Sequence, residues 1–491
     1  MNKGIRVGLA VSKLLRLVIA VIPLLLACRA FNANALTETN LHFFVGFPGD
    51  GTDSRAKLVQ GNDGNFYGTT FGGGTNNNGI VFRMSPSGTE SNLYSFVGFP
   101  SDGGHPNAGL VQGSDSNFYG TTDLGGIANS GTVFRISSSG SYTNLHSFVG
   151  YPTDGAVPTA GLVQGSDGNF YGVTPLGGTV NSGTVFRISS SGSYTNLYSF
   201  GINTNDGTSP SGGLVQGSDG NFYGTTGFGG TSTNCGTNGC GTVFRISPSG
   251  SYTNLYSFGI STNDGVIPSG ALVQGSDGNF YGTAAAAGLL TACTNGCGMV
   301  FRISPSGSET NLYSFVGSPN DGQEPAAGLV QGSDGSFYGT TLKGGAAGSG
   351  TVFRISSSGS YSNLYSFKGD STDGGFPIDP PVQGSNGNFY GTTQFGGTNG
   401  HGAIFEMILP LSPPPYPINQ ITKVQVAATN IIFSIPSIAG EIYQLQFSSS
   451  MNPTNWNNEG GSITSIGALL TLTNFGGASQ PKGFYRFDIT P

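Results

Sequence analysis

The residues that could perform acid–base or metal chemistry are few and scattered along the chain. The four histidines show no metal-ligand spacing, and there is no Gly-x-Ser-x-Gly elbow, no His-Glu-x-x-His motif and no phosphate-binding loop. A site assembled from distant segments is the alternative, with an acid–base pair drawn from His105, Asp123 and Glu324. The sequence leaves enzymatic activity uncertain and favours a protein without it.

Cysteine spacing predicts disulfides rather than a metal centre. Cys235 and Cys240 form one pair, and Cys293 and Cys297 occupy the equivalent segment of the next copy of a repeat. Four cysteines remain once the predicted leader, which contains Cys28, is removed, and an even count in an exported protein favours one disulfide within each pair. A zinc site using all four thiolates is the alternative, although the spacings differ from the usual two-residue gap.

Seven aspartates recur in Asp-Gly pairs and could supply oxygen ligands to Ca²⁺. The simpler interpretation is an Asx-type turn, in which the side chain bonds its local backbone. We therefore expect turns, and we predict no metal and no other cofactor. The seven are Asp50, Asp102, Asp154, Asp206, Asp264, Asp321 and Asp373.

These residues lie in a repeat whose complete form is Gly161–Phe200. A fixed period of this length is typical of solenoids, propellers and arrays. The repeat contains four short runs rich in Val, Ile, Phe, Tyr and Thr, and the Asp167-Gly168 turn between the first two is a strong hairpin signal. Four antiparallel strands in about fifty residues predict one propeller blade. The repeated tyrosines are Tyr67, Tyr119, Tyr171, Tyr223, Tyr281, Tyr338 and Tyr390.

The number of copies predicts how the ring closes. The last repeat lacks its fourth strand, whereas a lone fourth-strand sequence, Thr39–Phe44, precedes the first complete repeat. An N-terminal strand that completes the seventh blade would remove two open sheet edges. We therefore predict an all-β fold: a seven-bladed propeller over residues 36–409, closed by the N-terminal strand.

Variation between the copies points to one face of this propeller. The Gly-Ser-Asp-Gly and Ser-x-Ser-Gly turns are nearly identical, whereas the connections at the opposite face vary, as in Asp123–Ser130, Gly227–Cys240, Ala284–Cys297 and Leu342–Ser349. Variable loops on one face usually mark the binding face of a repeat protein, and unconstrained drift is the alternative. The candidate ligand-binding residues on that face are Asp102, His105, Asp123, Asp154, Asp206, Asp264 and Asp321.

A charged pair is expected within each blade. Six copies carry an Arg in the third strand and an Asp in the first turn, and the seventh replaces both, with Glu406 and Asn386. Because the end of the third strand lies beside the start of the second, an arginine such as Arg135 could reach Asp115. We therefore predict a structural Arg–Asp ion pair in each of the six blades.

The ends of the chain differ from the repeats. Residues 1–35 resemble a secretory signal, with a basic start, the apolar run Leu17–Ala27 and an Ala33-Asn-Ala35 cleavage site; lipoprotein processing at Cys28 is the alternative. Residues 410–417 are a Pro-rich linker. Residues 418–491 contain several β-prone runs and predict a small β-sandwich-like module, with Trp456 as a core anchor.

Composition limits the partners. Only 9% of the residues are charged, and the formal net charge is −7. Nucleic-acid binding requires clustered Lys and Arg, so we exclude it. Once the leader is removed, no segment is long and apolar enough to span a membrane. We expect a secreted or cell-surface monomer.

The motifs Gly-Asn-Phe-Tyr-Gly-Thr-Thr and Gly-Thr-Val-Phe-Arg-Ile-Ser-Pro-Ser-Gly recur in order over residues 39–408. This repeat resembles that of the GloVer-containing "choice-of-anchor" bacterial proteins. The resemblance implies an exported or surface protein whose relatives carry different C-terminal anchors, and it brings no activity or binding residues. The tail departs from the common anchors, and Tyr443–Phe447 and Phe484–Arg486 are similar to small C-terminal β-modules of secreted proteins.

Together these features predict an exported, non-catalytic binding or surface-interaction protein that presents a variable-loop face to glycan or protein. The first alternative is a polysaccharide-active hydrolase or lyase using the same face. The second is a structural scaffold of the envelope. Convergent carboxylates in the central channel would favour the enzyme, whereas aromatic side chains in the loops would favour binding.

Overall fold

The computed structural model describes residues 37–232, 234–260, 264–287 and 296–408 of the repeat region, together with seven C-terminal strand segments within residues 423–490. Residues Leu36–Leu409 form one compact unit. The predicted signal sequence with Cys28, the predicted linker, Cys293 and Trp456 lie outside the described residues. Among the residues that are described, no helix is long and apolar enough to cross a membrane.

The repeat region is a seven-bladed β-propeller in which every blade is a four-stranded antiparallel sheet. The hairpin turns set the register: Gly168 has a positive φ of 81°, and it lets Gln164 pair with Phe170 across the first hairpin. The second strand then pairs with the third, which places Tyr171 opposite Arg187. The same register recurs from blade to blade because the turn sequences recur.

Strand bounds follow the repeat closely. The first strands are Val59–Gln60, Val111–Gln112, Val163–Gln164, Val215–Gln216, Val273–Gln274, Val330–Gln331 and Val382–Gln383. The second strands are Phe66–Thr70, Phe118–Thr122, Phe170–Thr174, Phe222–Thr226, Phe280–Ala284, Phe337–Thr341 and Phe389–Thr392. The third strands are Ile80–Met84, Thr132–Ile136, Thr184–Ile188, Thr242–Ile246, Met299–Ile303, Thr351–Ile355 and Ala403–Ile408. The fourth strands are Glu90–Ser95, Tyr142–Ser147, Tyr194–Ser199, Tyr252–Ser257, Glu309–Ser314, Tyr361–Ser366 and, for the seventh blade, Thr37–Phe43.

The N-terminal strand closes the ring, as predicted. Thr37–Phe43 pairs antiparallel with Ala403–Ile408 and completes the seventh sheet. A ring of side-chain hydrogen bonds passes through the same junction: the Ser385 N–H donates to Gln60 Oε1 over 2.8 Å, as the Ser114 N–H donates to Gln164 Oε1 in an ordinary junction. The seventh and first blades are therefore joined like any other two neighbours.

Aromatic stacking between blades forms the core. The repeated tyrosine of each blade packs against the phenylalanine that begins the second strand of the next blade, as Tyr171 does on Phe222 at 4.0 Å between ring centroids. The equivalent stack at the closure joins Tyr390 to Phe66 at 4.2 Å. These rings are almost completely buried. Seven equivalent stacks make the interfaces interchangeable, which explains why a single repeat can be copied around the ring.

The propeller has two distinct faces. The hairpins that join the first to the second strand and the third to the fourth form the turn face. The connections between second and third strands, and the crossing segments that lead from one blade to the next, form the loop face. On the loop face each crossing segment pairs with a connection of the following blade through a two-residue ladder. These ladders join Gly51–Thr52 to Gly72–Gly73, Gly103–Gly104 to Leu124–Gly125, Gly155–Ala156 to Leu176–Gly177, Gly207–Thr208 to Phe228–Gly229, Gly265–Val266 to Ala286–Ala287, Gly322–Gln323 to Lys343–Gly344, and Gly374–Gly375 to Phe395–Gly396.

The described C-terminal residues are also strands. One antiparallel sheet contains Lys423–Ala427, Asn430–Ser437 and Ala468–Asn474. In a second sheet, Ile442–Ser448 pairs with Asn457–Asn458, Ile463–Thr464 and Phe484–Thr490. Tyr443 and Leu445 are buried in this region.

Candidate functional site

The turn face is held by a repeated network, and here one prediction is wrong. In blades one to five the hairpin aspartate makes no ion pair with the arginine of the third strand. In the first blade Asp63 Oδ2 instead accepts hydrogen bonds from the Tyr67 hydroxyl and from Asn65, both at 2.8 Å. Arg83 lies opposite Tyr67 in the register, so the phenol intervenes between the two charges. Only the sixth blade has a direct pair, Arg354 to Asp334 at 2.8 Å.

The seventh blade keeps the same tyrosine bonded by moving the carboxylate. Glu406, on the third strand, accepts from the Tyr390 hydroxyl at 2.6 Å, and Asn388 donates to the same oxygen at 2.8 Å. Asn386, which replaces the aspartate, donates to the tyrosine hydroxyl at 2.9 Å. The joint change of two residues is therefore compensation around one buried phenol.

The aspartates of the crossing segments are buried at the blade junctions. Asp102 Oδ2 accepts from the Tyr94 hydroxyl at 2.7 Å and from the Val97 N–H, while Oδ1 accepts from the Gly103 N–H. Asp154, Asp264 and Asp321 make the equivalent contacts. The bonds of Asp102 run to the backbone one residue after it and five residues before it, so the aspartate orders the crossing segment as a local backbone acceptor but without the two-residue spacing of the predicted Asx turn.

Each of these aspartates also lies near the first residues of the fourth strand of the next blade. We call the three residues a junction cluster: the fourth-strand residue that bonds the aspartate, the aspartate, and the residue from the next blade. The clusters are His42–Asp50–Glu90, Tyr94–Asp102–Tyr142, His146–Asp154–Tyr194, Tyr198–Asp206–Tyr252, Tyr256–Asp264–Glu309, Tyr313–Asp321–Tyr361 and Tyr365–Asp373–Glu38.

One residue of every crossing segment has a left-handed backbone, with φ between 54° and 58°. None of the seven is glycine, and β-branched residues are rare in this conformation, which costs on the order of 1–3 kcal/mol at each position. Backbone bonds impose it: the His105 N–H donates to Asn78 O at 2.7 Å, and His105 O accepts from the Asp123 N–H at 3.2 Å. We call these residues the left-handed ring: Asp53, His105, Val157, Ser209, Ile267, Glu324 and Phe376.

The left-handed ring is chemically diverse although its backbone is uniform. Its side chains are acidic, basic, hydroxylic, aliphatic and aromatic, and all are at least partly exposed. The signal was present in the sequence: the residue differs in all seven copies and precedes a proline in six of them. The left-handed conformation could not be inferred, because Val157 and Ile267 disfavour a positive φ.

Charged and aromatic groups gather at one sector of the ring, beside the first two blades. Arg55 contacts Asp53 at 2.6 Å, and its guanidinium lies 3.9 Å from the centre of the Phe71 ring. Phe71 packs in turn on His105, with ring centroids 4.7 Å apart, and His105 Nδ1 lies 2.9 Å from Phe71 O. We call this row the Arg55–His105 stack. A cation over an aromatic face is stabilised by the ring quadrupole.

Asp123 lies beside this stack and is 8% exposed. Burial raises the pKa of Asp123 to about 7, and Arg55 and Asn107 oppose that shift. Asp123 Oδ1 has no hydrogen-bond partner among the described residues. The sequence offered His105, Asp123 and Glu324 as candidates for an acid–base pair. The structure brings His105 and Asp123 together. The third, Glu324, lies at another position of the ring and pairs with Lys343 at 3.0 Å.

A polar cleft opens on the loop face at the fourth blade. Its volume is about 680 Å³, and its lining includes Asn203, Asn205, Asn238 and Phe228. One wall is the short 3₁₀ helix Gly236–Asn238, enclosed by a disulfide between Cys235 and Cys240. Because two of the four sulfurs form this bond, they are not available for a four-thiolate zinc site. Cys297 of the following blade is buried, and its predicted partner lies outside the described residues.

Aromatic side chains project from three successive crossing segments. Phe47, Phe99 and Tyr151 are 59%, 58% and 61% exposed, and each precedes a cis proline. The equivalent position before the sixth blade carries Ser318, also followed by a cis proline. The repeat therefore does not need an aromatic residue there in order to fold.

At the start of the first strand, the backbone leaves little room for a side chain in two of the blades. A Cβ atom added to Gly109 would lie 2.5 Å from Lys57 O, and one added to Gly328 would lie 2.5 Å from Ala271 O. Among the described residues at this level, the charged ones are Lys57 and Asp379, and the Lys57 N–H donates to Asp379 Oδ2. The convergent carboxylates that would favour an enzyme are not found at this level of the described propeller.

The fold and the repeat place the protein among the repeat β-propellers. The chain belongs to the Gloeobacter/Verrucomicrobia repeat family, whose pattern matches residues 31–237, 192–331 and 289–412. No curated relative matches the sequence.

Solved structures with a similar fold are distant in sequence. The extracellular domain assigned to a hybrid two-component system of B. thetaiotaomicron is 12% identical, with a TM-score of 0.50 over 93% of this chain and 59% of that one. A second such domain from the same organism is 12% identical, with a TM-score of 0.48 over 89% of this chain and 55% of that one. The BP39L lectin of Burkholderia pseudomallei is 13% identical, with a TM-score of 0.44 over 71% of this chain and 96% of that one. The first of these likenesses supports the propeller fold.

Proposed function

We propose that this is an exported, non-catalytic binding protein whose loop face docks a glycan or a surface protein. The observation that carries the proposal is the contrast between the faces: all seven copies bond the turn-face tyrosine hydroxyl to a carboxylate, whereas the exposed loop-face side chains vary. Variation on one rigid face is how repeat scaffolds display binding residues.

A glycan is the ligand that the loop face fits best. Binding sites combine aromatic surface with a few polar groups that fix orientation. Phe47, Phe99 and Tyr151 supply exposed aromatic surface, and the amides of Asn203 and Asn238 supply donors and acceptors in the polar cleft. Charged residues make up only 9% of the chain, so a neutral ligand suits this surface better than a highly charged one.

A glycan-array screen of the purified protein tests the proposal, repeated with Phe99→Ser. Serine occupies the equivalent position at Ser318, so this variant is expected to fold. We expect saturable binding to a defined glycan class, weakened at least about tenfold in the variant, since loss of a central aromatic contact costs about 2 kcal/mol. Binding that is equally strong in Phe99→Ser and in a Tyr151→Ser variant would place the ligand elsewhere.

Export itself is part of the proposal. The disulfide fits an oxidising compartment. Mass spectrometry of the protein made in a bacterial host identifies its first residue: Leu36 supports cleavage after Ala35, whereas a lipidated Cys28 supports anchoring to a membrane instead.

A polysaccharide hydrolase or lyase is the second candidate, and Asp123 is the observation that favours it. A buried carboxyl whose pKa is raised to about 7 can donate or accept a proton near neutral pH. Incubation with neutral and acidic polysaccharides, followed by assays for new reducing ends and unsaturated sugars, tests this candidate. Activity that is lost in Asp123→Asn would establish the enzyme, and no product from any substrate would leave the binding protein.

A further inference from the structure

The seven junction clusters differ at two positions, and one cluster combines both exceptional residues. Three clusters place tyrosines on either side of the aspartate. His146 replaces the first tyrosine in one cluster, and Glu309 and Glu38 replace the second tyrosine in two others. Only the cluster at the ring closure has both a histidine and a glutamate, namely His42, Asp50 and Glu90.

These three side chains have the geometry of a metal-binding set. One ligand atom from each lies within 4.8 Å of the other two, and His42 Nε2 is 3.1 Å from Asp50 Oδ2. Glu90 Oε1 is buried and has no hydrogen-bond partner among the described residues. A buried, unpaired carboxylate oxygen is costly, and a cation is one way to satisfy it.

Two backbone hydrogen bonds already hold the carboxylate of Asp50 in place. Asp50 Oδ2 accepts from the Val45 N–H at 2.8 Å, and Oδ1 accepts from the Gly51 N–H at 2.6 Å. Hydrogen bonds of this kind orient metal ligands and fix their geometry. The three ligands also come from three different parts of the ring closure: the N-terminal strand, the crossing segment and the first blade.

We infer that His42, Asp50 and Glu90 bind one divalent transition-metal ion, with Zn²⁺ the best match, and that this ion fastens the closing strand to the first blade. Imidazole with carboxylates is a ligand set that Zn²⁺ accepts readily, and water completes a tetrahedral site. Each of the other six clusters lacks the histidine, the glutamate or both. At His146, for example, Tyr194 stacks on the imidazole with centroids 3.9 Å apart and occupies the place of the glutamate.

The molecule itself supplies matched control variants. Glu90→Tyr recreates the cluster found at His146, and His42→Tyr recreates the cluster found at Glu309, so each uses a residue that the repeat already accommodates. Tyr194→Glu is the reverse change and should build a second site. Circular dichroism and thermal unfolding in chelator establish that each variant folds.

Isothermal titration of the chelator-stripped full chain with ZnCl₂ tests the inference. We expect one equivalent to bind, Glu90→Tyr and His42→Tyr to weaken binding by more than about tenfold, and Tyr194→Glu to bind two equivalents. Added Zn²⁺ should raise the unfolding temperature of the wild type and leave that of Glu90→Tyr unchanged. No saturable binding, or binding of equal affinity in Glu90→Tyr, would overturn the site.

Discussion

The two faces of this propeller both have a repeated backbone, but their side chains repeat on one face and vary on the other. On the turn face, both the backbone and the side-chain contacts repeat. The hydroxyl of each buried tyrosine donates to a carboxylate, and in the seventh blade that carboxylate belongs to Glu406 of the third strand instead of to the hairpin loop. On the loop face the backbone repeats just as strictly, with φ of 54° to 58° in all seven crossing segments, while the side chains do not. The turn face shows what folding requires. The loop face shows positions at which folding tolerates a change of chemistry.

The largest expected effect is a difference in stability between a turn-face and a loop-face substitution. Tyr171→Ala removes a buried ring that stacks between blades at 4.0 Å, and we expect it to lower the free energy of unfolding by about 3–5 kcal/mol. Phe99→Ser, on an exposed loop-face ring, should change the free energy by less than about 0.5 kcal/mol. Urea denaturation measures both. A large loss of stability in Phe99→Ser would contradict the assignment of that ring to binding.

Substitutions that change backbone strain should alter the stability of the protein in opposite directions on the two faces. Gly168→Ala forces a side chain into the positive φ of a turn-face hairpin and should destabilise the protein by about 1–2 kcal/mol. Val157→Gly relieves a left-handed position and should stabilise it by about 1 kcal/mol or less, since the added freedom of glycine in the unfolded chain offsets part of the gain. Thermal unfolding of both variants gives the two signs. A loss of stability in Val157→Gly would mean that its side chain contributes to folding.

The glutamates of the junction clusters predict that stability depends on pH. Burial, with the neighbouring carboxylate, raises the pKa of Glu38, Glu90 and Glu309 to about 7 from an ordinary 4.5. Between pH 4.5 and 7 the folded protein then holds protons that the unfolded chain has released, so stability falls as the pH rises through this window. Because the side chains are partly exposed, we expect about 1 kcal/mol for each glutamate.

Denaturation in chelator at pH 5 and at pH 7.5 measures this fall. Glu309→Tyr, which restores the commoner residue, should reduce this fall in stability by about 1 kcal/mol, and Asp123 and Asp379, whose pKa values are also raised by burial, contribute to what remains. A slope that is the same in the variant would mean that Glu309 titrates normally in the folded protein.

The smallest effect concerns the charges of the turn face. Arg354 and Asp334 are in contact but partly exposed, so a double-mutant cycle should give a coupling of about 0.2–1 kcal/mol. The same cycle on Arg187 and Asp167, where the phenol of Tyr171 intervenes, should be nearly additive. Equal coupling in the two blades would restore the direct ion pair as a general feature of the repeat.

Features that depend on counting copies could be predicted from the sequence. The missing fourth strand of the last repeat was enough to place Thr37–Phe43 against Ala403–Ile408. Contacts between side chains were harder. Asp167 and Arg187 occupy positions that permit an ion pair. Spacing alone does not show that the Tyr171 hydroxyl, and not the arginine, bonds the Asp167 carboxylate.

The candidate site, too, could be predicted from the sequence only in part. His105, Asp123 and Glu324 were the candidates for an acid–base pair assembled from distant segments, and the structure brings His105 and Asp123 together beside Arg55. The set of His42, Asp50 and Glu90 could not be found by spacing, because its members come from different blades and meet only when the ring closes.

The most direct test of the account compares the faces in one binding measurement. On the best ligand from the glycan array, the dissociation constant is measured for the wild type, for a loop-face variant with Phe47, Phe99 and Tyr151 changed to serine, and for a turn-face variant with the exposed Ser138 and Ser190 changed to glutamate. We predict that the loop-face variant loses binding by more than about a hundredfold while the turn-face variant binds like the wild type. Loss of binding in the turn-face variant alone would contradict the account.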